Sequence, residues 1–150
     1  MATSKLLRTE TGTPAQICFA DFGTDFSPTA ANDLRNGTDT EVQLDTTSLA
    51  DTAARMSAQC DLGATWTTSY SLRAAVEMVA TPTASALIEF YWAASSSATA
   101  ATGNPAGVTG SDAAYTGYSS NLADSLKQLT YIGPLICTVQ VTTVVQIQVV

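Results

Sequence analysis

The stretch SYSLRAAVEM, residues 69–78, alternates residue by residue: Tyr70, Leu72, Ala74, Val76 and Met78 fall on one side, Ser71, Arg73, Ala75 and Glu77 on the other. A period of two with one polar face is the signature of a half-buried strand. Next comes ALIEFYWAAS, residues 86–95, which sets Ile88, Phe90 and Trp92 against Glu89 and Tyr91. The link between them, ATPTAS at 80–85, is short and contains proline, as an antiparallel connection would be. EVQLD at 41–45, YIGPLICTVQ at 131–140 and VVQIQVV at 144–150 repeat the pattern, and ARMSAQCDL at 54–62 carries it more weakly. Sheets with one wet face are characteristically antiparallel. Roughly six to eight such strands without a long helical pattern predict an all-β protein, an antiparallel β-sandwich of jelly-roll type. Tyr70, Leu72, Val76, Ile88, Phe90 and Trp92 are its expected core.

Residues 1–39 read as an N-terminal arm with a first strand at 15–20, and residues 40–150 as the sandwich domain. Pro28 and the turn pair Asn36-Gly37 separate the two. The opening segment is either an arm that lies on a neighbour or simply the first strand and its loop. VVQIQVV runs to the last residue with no polar tail. This suggests a buried terminus, a sheet edge open to pairing with another chain, or a natural chain that continues further.

Between the strands lies a long polar passage, SSSATAATGNPAGVT at 95–109 followed by GSDAAYTGYSSNLADSLKQL at 110–129. It is too polar for a core and too poor in charge for an ordinary solvated tail. One helix is legible inside it. Leu122, Leu126 and Leu129 stand at i, i+4 and i+7, with Asn121 as a cap, Asp124 in the first turn and Lys127 in the last. A helix of about two turns is marginal alone in water, so it is expected to lie on the sandwich through its leucines.

Composition narrows the function. The chain has 150 residues and a formal charge of −7, and its six Lys and Arg are scattered, which argues against a nucleic-acid partner. Charged residues make up 13%, well under the usual quarter, and Ala, Ser and Thr replace them. Such a surface costs little to desolvate and suits packing against other chains, although a merely inert surface has the same composition. No apolar run reaches the ~20 residues of a membrane helix, and no signal-peptide core is legible at the N-terminus. Cys18, Cys60 and Cys137 have no metal-site spacing and are expected to be reduced thiols.

There is no histidine. That removes Ser-His-Asp and Cys-His nucleophilic sites and the usual zinc-hydrolase ligand sets. ADFGTDF at 20–26 contains the DFG triplet of kinases, but no Gly-rich loop or catalytic loop accompanies it. Glu77 and Glu89 leave the apolar faces of successive strands and could share one surface as a glycosidase pair; solvated strand carboxylates are far commoner. Asp21, Asp25, Asp39, Glu41 and Asp45 lack an EF-hand pattern. No catalytic, cofactor or metal site is expected.

The block EFYWAASSSATAATGNPAGVTGSDAAYTGYSSNLADSLKQLTYIG, within a stretch of roughly 86–133, resembles one found in virion structural proteins of tailed bacteriophages, and the strand SYSLRAAVEM resembles theirs less specifically. There an aromatic strand enters a small-residue loop, followed by a short helix and another strand. The resemblance implies a non-enzymatic β-sandwich protein built in many copies into a particle assembled in the host cytoplasm. A capsid decoration or cement protein is the leading expectation, with a tail or neck component beside it. Its implied partners are further copies of itself, in a trimer or larger ring, and the major capsid protein or other virion proteins. Leu6, Leu7 and Arg8 of the opening segment and Tyr115 and Tyr118 of the loop are the candidate partner contacts. The rival is a lectin-like module stacking glycans on Trp66, Tyr91, Trp92, Tyr115 or Tyr118.

Overall fold

The computed structural model describes residues 2–8, 15–20, 39–46, 49–61, 70–77, 83–97, 99, 101–137 and 144–146; in 2–8, 70–77 and 144–146 it describes the backbone alone. The alternating stretch at 69–78 forms a strand over Tyr70–Glu77 (β5). Its partner is not the next strand in sequence. β5 pairs antiparallel along its length with the first strand, Ala2–Arg8 (β1), in a register that sets Leu6 opposite Leu72. On its other side lies Val144–Gln146 (β9), with Val145 opposite Val76.

β1 also pairs antiparallel with Ala15–Ala20 (β2), which pairs in parallel with Asp39–Gln43 (β3). The sheet order is therefore β3-β2-β1-β5-β9. A parallel pair needs a crossover longer than a hairpin, and residues 21–38 supply that length. Ile17 on β2 and Val42 on β3 are buried and Phe19 is half-buried, which puts the apolar alternation of both strands on one face. β1 is a middle strand of this sheet, paired on both sides. The backbone of Leu6, Leu7 and Arg8 is committed to that ladder, and their side chains lie outside the described part, as do those of Tyr70, Leu72 and Val76.

Two smaller sheets complete the described chain. Ala54–Met56 (β4) pairs antiparallel with Ala113–Tyr115 (β7). Leu87–Trp92 (β6) pairs antiparallel with Thr130–Ile136 (β8), with a bulge between Phe90 and Tyr91. The link at 80–85 thus joins two different sheets rather than making a hairpin. The expected alternation holds over the second half of β8, where Gly133 and Leu135 are buried and Ile136 is exposed; Tyr131, of the same parity as the buried pair, is exposed because the bulge shifts the register. On β6 the facing is as expected, but Ile88, Phe90 and Trp92 are half-buried rather than fully enclosed. The protein is thus built mainly of small antiparallel sheets, with a parallel pair that strict alternation did not foretell and no closed sandwich among the described residues.

The short helix is present as Leu122–Leu126 (α1). The Asn121 side chain accepts the amide of Asp124, the capping bond that its position called for. Lys127 stands just past the last turn and donates to Asp124 at 2.8 Å. That bond, with a second from Asn121, holds the Asp124 carboxyl below the usual carboxylate range.

Candidate functional site

The passage from 95 to 129 carries the surface of interest, and its small residues explain its order. Short hydroxylated side chains bond readily to nearby backbone and so fix turns. The single Ser95 hydroxyl proton is shared between the carbonyls of Ser97 and Thr102, 3.0 and 3.2 Å from Oγ, and Oγ accepts the Ser97 amide. Thr99 N donates to Ser97 Oγ, and Asn104 Nδ2 to the carbonyl of Val108 at 2.9 Å. A backbone bond from Ala101 to Thr109, at 2.7 Å, closes the loop.

The same passage is fastened to the rest of the chain. Gln59 donates its amide to Gly110 O at 2.9 Å and its side-chain nitrogen to Ser97 O at 2.6 Å. Asp112 Oδ1 accepts both Arg55 Nη2, at 2.9 Å, and the backbone amide of Asp45, at 3.1 Å. One carboxylate thereby joins β4, β7 and the segment after β3. The pair is partly buried, with 23% and 16% of the two side chains exposed, so it loses less to screening than a surface ion pair. Sequence reading passed over Asp112 and Gln59, because nothing local marks a residue whose partners are about fifty positions away.

The two loop tyrosines part company. Tyr115 is 6% exposed and donates its hydroxyl to Ala106 O at 2.7 Å. It holds its own loop together, which removes it from the expected partner contacts. Tyr118 is 69% exposed and remains available. We predict that Tyr115→Phe costs about 1–3 kcal/mol by stranding the buried Ala106 carbonyl, read as a fall in melting temperature; an unchanged transition would show that water reaches that carbonyl.

The helix is also fixed differently from its leucine stripe. Leu122, Leu126 and Leu129 are half-buried, while Ser125 is 2% exposed and its Oγ accepts the backbone amide of Tyr118 at 2.8 Å. A buried hydroxyl with a partner outside its own helix is a tether that no hydrophobic periodicity reveals. α1 and the turn at 118–120 both pack on the turn at 105–107.

A second surface lies on the outer face of the β6–β8 ladder. Leu87 pairs with Ile136, Glu89 with Pro134, and Tyr91 with Tyr131. Leu87 and Ile136 are each 55% exposed and Tyr131 is 49% exposed. The Tyr91 and Tyr131 rings stand 5.3 Å apart at 58°, a tilted arrangement that favours aromatic pairs. Tyr91 donates its hydroxyl to Glu89 Oε2 at 3.3 Å. Partial burial, followed by the adjacent Glu89 charge, raises the Tyr91 phenol above its ordinary value. The bulge turns Tyr131 outward beside Tyr91.

The Glu77 side chain lies outside the described part, so the candidate Glu77–Glu89 pairing falls there too. Glu77 belongs to the five-stranded sheet and Glu89 to the β6–β8 ladder. Among the described residues, no three His, Cys, Asp or Glu side chains converge as metal ligands. Cys60 and Cys137 are free thiols, and burial raises that of Cys137. Trp66 lies outside the described residues, and Trp92 is half-buried on the inner face of its ladder. No described helix is long and apolar enough to cross a membrane. Comparison with known protein families, curated proteins and solved structures yields no match to this chain.

Proposed function

We propose that the chain is a non-enzymatic structural protein of a tailed-bacteriophage particle, a decoration or cement protein that coats or stabilises the capsid shell. Its sheets are then parts of a jelly-roll-like sandwich, and its partners are further copies of itself, as a trimer or larger ring, and the major capsid protein. The observation that carries this reading is the 95–129 passage. It is a surface rich in small residues and poor in charge, its few charges (Asp112, Asp124 and Lys127) all paired, held by its own hydrogen bonds and tied to β4, with Tyr118 standing out of it. A rigid aromatic on a surface that is cheap to desolvate loses little entropy when another subunit covers it. The sequence resemblance runs through the same residues and supplies the particle. A tail or neck position draws on the same features. The Tyr91–Tyr131 ring pair favours a second reading, a glycan-binding module, because sugars stack on exposed aromatic faces.

Co-sedimentation with purified phage shells tests the proposal. The wild-type chain should pellet with the shells, and Tyr118→Ser should pellet less while keeping its melting temperature, since an exposed ring adds little to the fold. A wild-type chain that stays monomeric and never pellets would overturn the proposal.

A further inference from the structure

We infer that the outer face of the β6–β8 ladder docks an extended segment of another protein in which aliphatic and basic side chains alternate. That its owner is a particle protein rests on the function proposed above.

The face has an apolar end, Leu87 with Ile136, and an aromatic end, Tyr91 with Tyr131; Glu89 and Pro134 lie between. Three of these large side chains are about half exposed or more, a clustering that marks an interaction site rather than scattered surface apolarity. Charge selects the occupant. Glu89 is exposed, and the Tyr91 hydroxyl is its described partner. The cations whose side chains are described, Arg55 and Lys127, pair with Asp112 and Asp124. A Lys or Arg brought by the partner would meet the Glu89 carboxylate and the tyrosine ring faces together. The chain's net charge of −7 would draw such a segment in from a distance.

A second copy of this chain fits less well. In a two-fold contact between identical faces, Glu89, midway along the ladder, would lie against its own counterpart. Like charges desolvated in that way oppose association. A saccharide would use the tyrosines and the carboxylate but would leave Leu87 and Ile136 without a role.

The test uses the full chain with isotopically labelled tyrosine and follows ring signals by NMR. The probes are a synthetic peptide alternating valine and lysine, the same peptide with glutamate for lysine, and a neutral chito-oligosaccharide. We expect the lysine peptide to shift the Tyr91 and Tyr131 signals and the glutamate peptide to leave them in place. Glu89→Lys should reverse that preference, and Leu87→Ser with Ile136→Ser should weaken binding roughly tenfold, as fits the loss of two exposed aliphatic contacts. All three positions are exposed, and a melting curve confirms that each variant is folded. Equal response to both peptides, silence with both, or shifts produced by the saccharide alone would overturn the inference. Shell co-sedimentation separates it from the functional proposal. If the wild type pellets and face variants pellet equally, the docking face is wrong and the function stands. If the lysine peptide binds but the wild type never pellets, the function is wrong and the face stands.

Discussion

Gly117→Ala should lower the melting temperature by roughly 10 °C, the equivalent of about 3 kcal/mol for a chain of this size. Gly117 has φ 79° and ψ 170°, a backbone region open essentially to glycine alone, where a side chain costs about 1–3 kcal/mol. A methyl group there would also stand 2.5 Å from the carbonyl oxygen of Asn121 and 2.7 Å from Ser125 Oγ. The first contact is with backbone and cannot be relieved by a side-chain rotation. Relief would require moving the start of α1 away from the turn at 118–120, which breaks the bond from Tyr118 N to Ser125 Oγ. Amide exchange should therefore quicken at Tyr118 and along the helix before it does in the five-stranded sheet. A melting temperature within about 2 °C of wild type, less than 1 kcal/mol at this size, would show that the loop rearranges freely and that its order is not tied to the fold.

Leu135→Ala should be the other severe change. Leu135 is 3% exposed and pairs across the ladder with Ile88 on the inner face. Truncating a buried leucine costs about 2–5 kcal/mol, because the lost transfer energy is joined by a cavity. Its neighbour Ile136, 55% exposed on the opposite face, should tolerate Ala within about 0.5 kcal/mol. Adjacent residues of similar size thus give opposite outcomes, so urea unfolding of the two variants reports directly which face the ladder turns inward. Equal losses would place both side chains in a core and would remove the outer docking face.

The strands were legible because a period of two needs only local sequence, and β5, β6 and β8 lie where their alternation put them. Their partners were not. Pairing β5 with β1 rather than β6 depends on contacts some seventy residues apart, which no local pattern encodes. The start of the helix was read correctly from Asn121, whose capping is local, but it ends at Leu126, short of Leu129 and the expected two turns, and its tether was missed because Ser125 looks like any small polar residue until the Tyr118 amide is seen beside it. Tyr115 and Tyr118 are indistinguishable by composition, and only the Ala106 carbonyl separates them. The outer face of β6 was half visible. Leu87, Glu89 and Tyr91 alternate in the sequence, but Tyr131 joins them through a bulge that alternation cannot foresee.

The stoichiometry of purified particles tests the proposed function most directly. Quantitative mass spectrometry of phage particles should find this chain in a fixed ratio to the major capsid protein, at many copies per shell, and the ratio should survive repeated gradient purification. A chain that is absent from the particles, or that washes away while the shell remains intact, would contradict a role as a structural component.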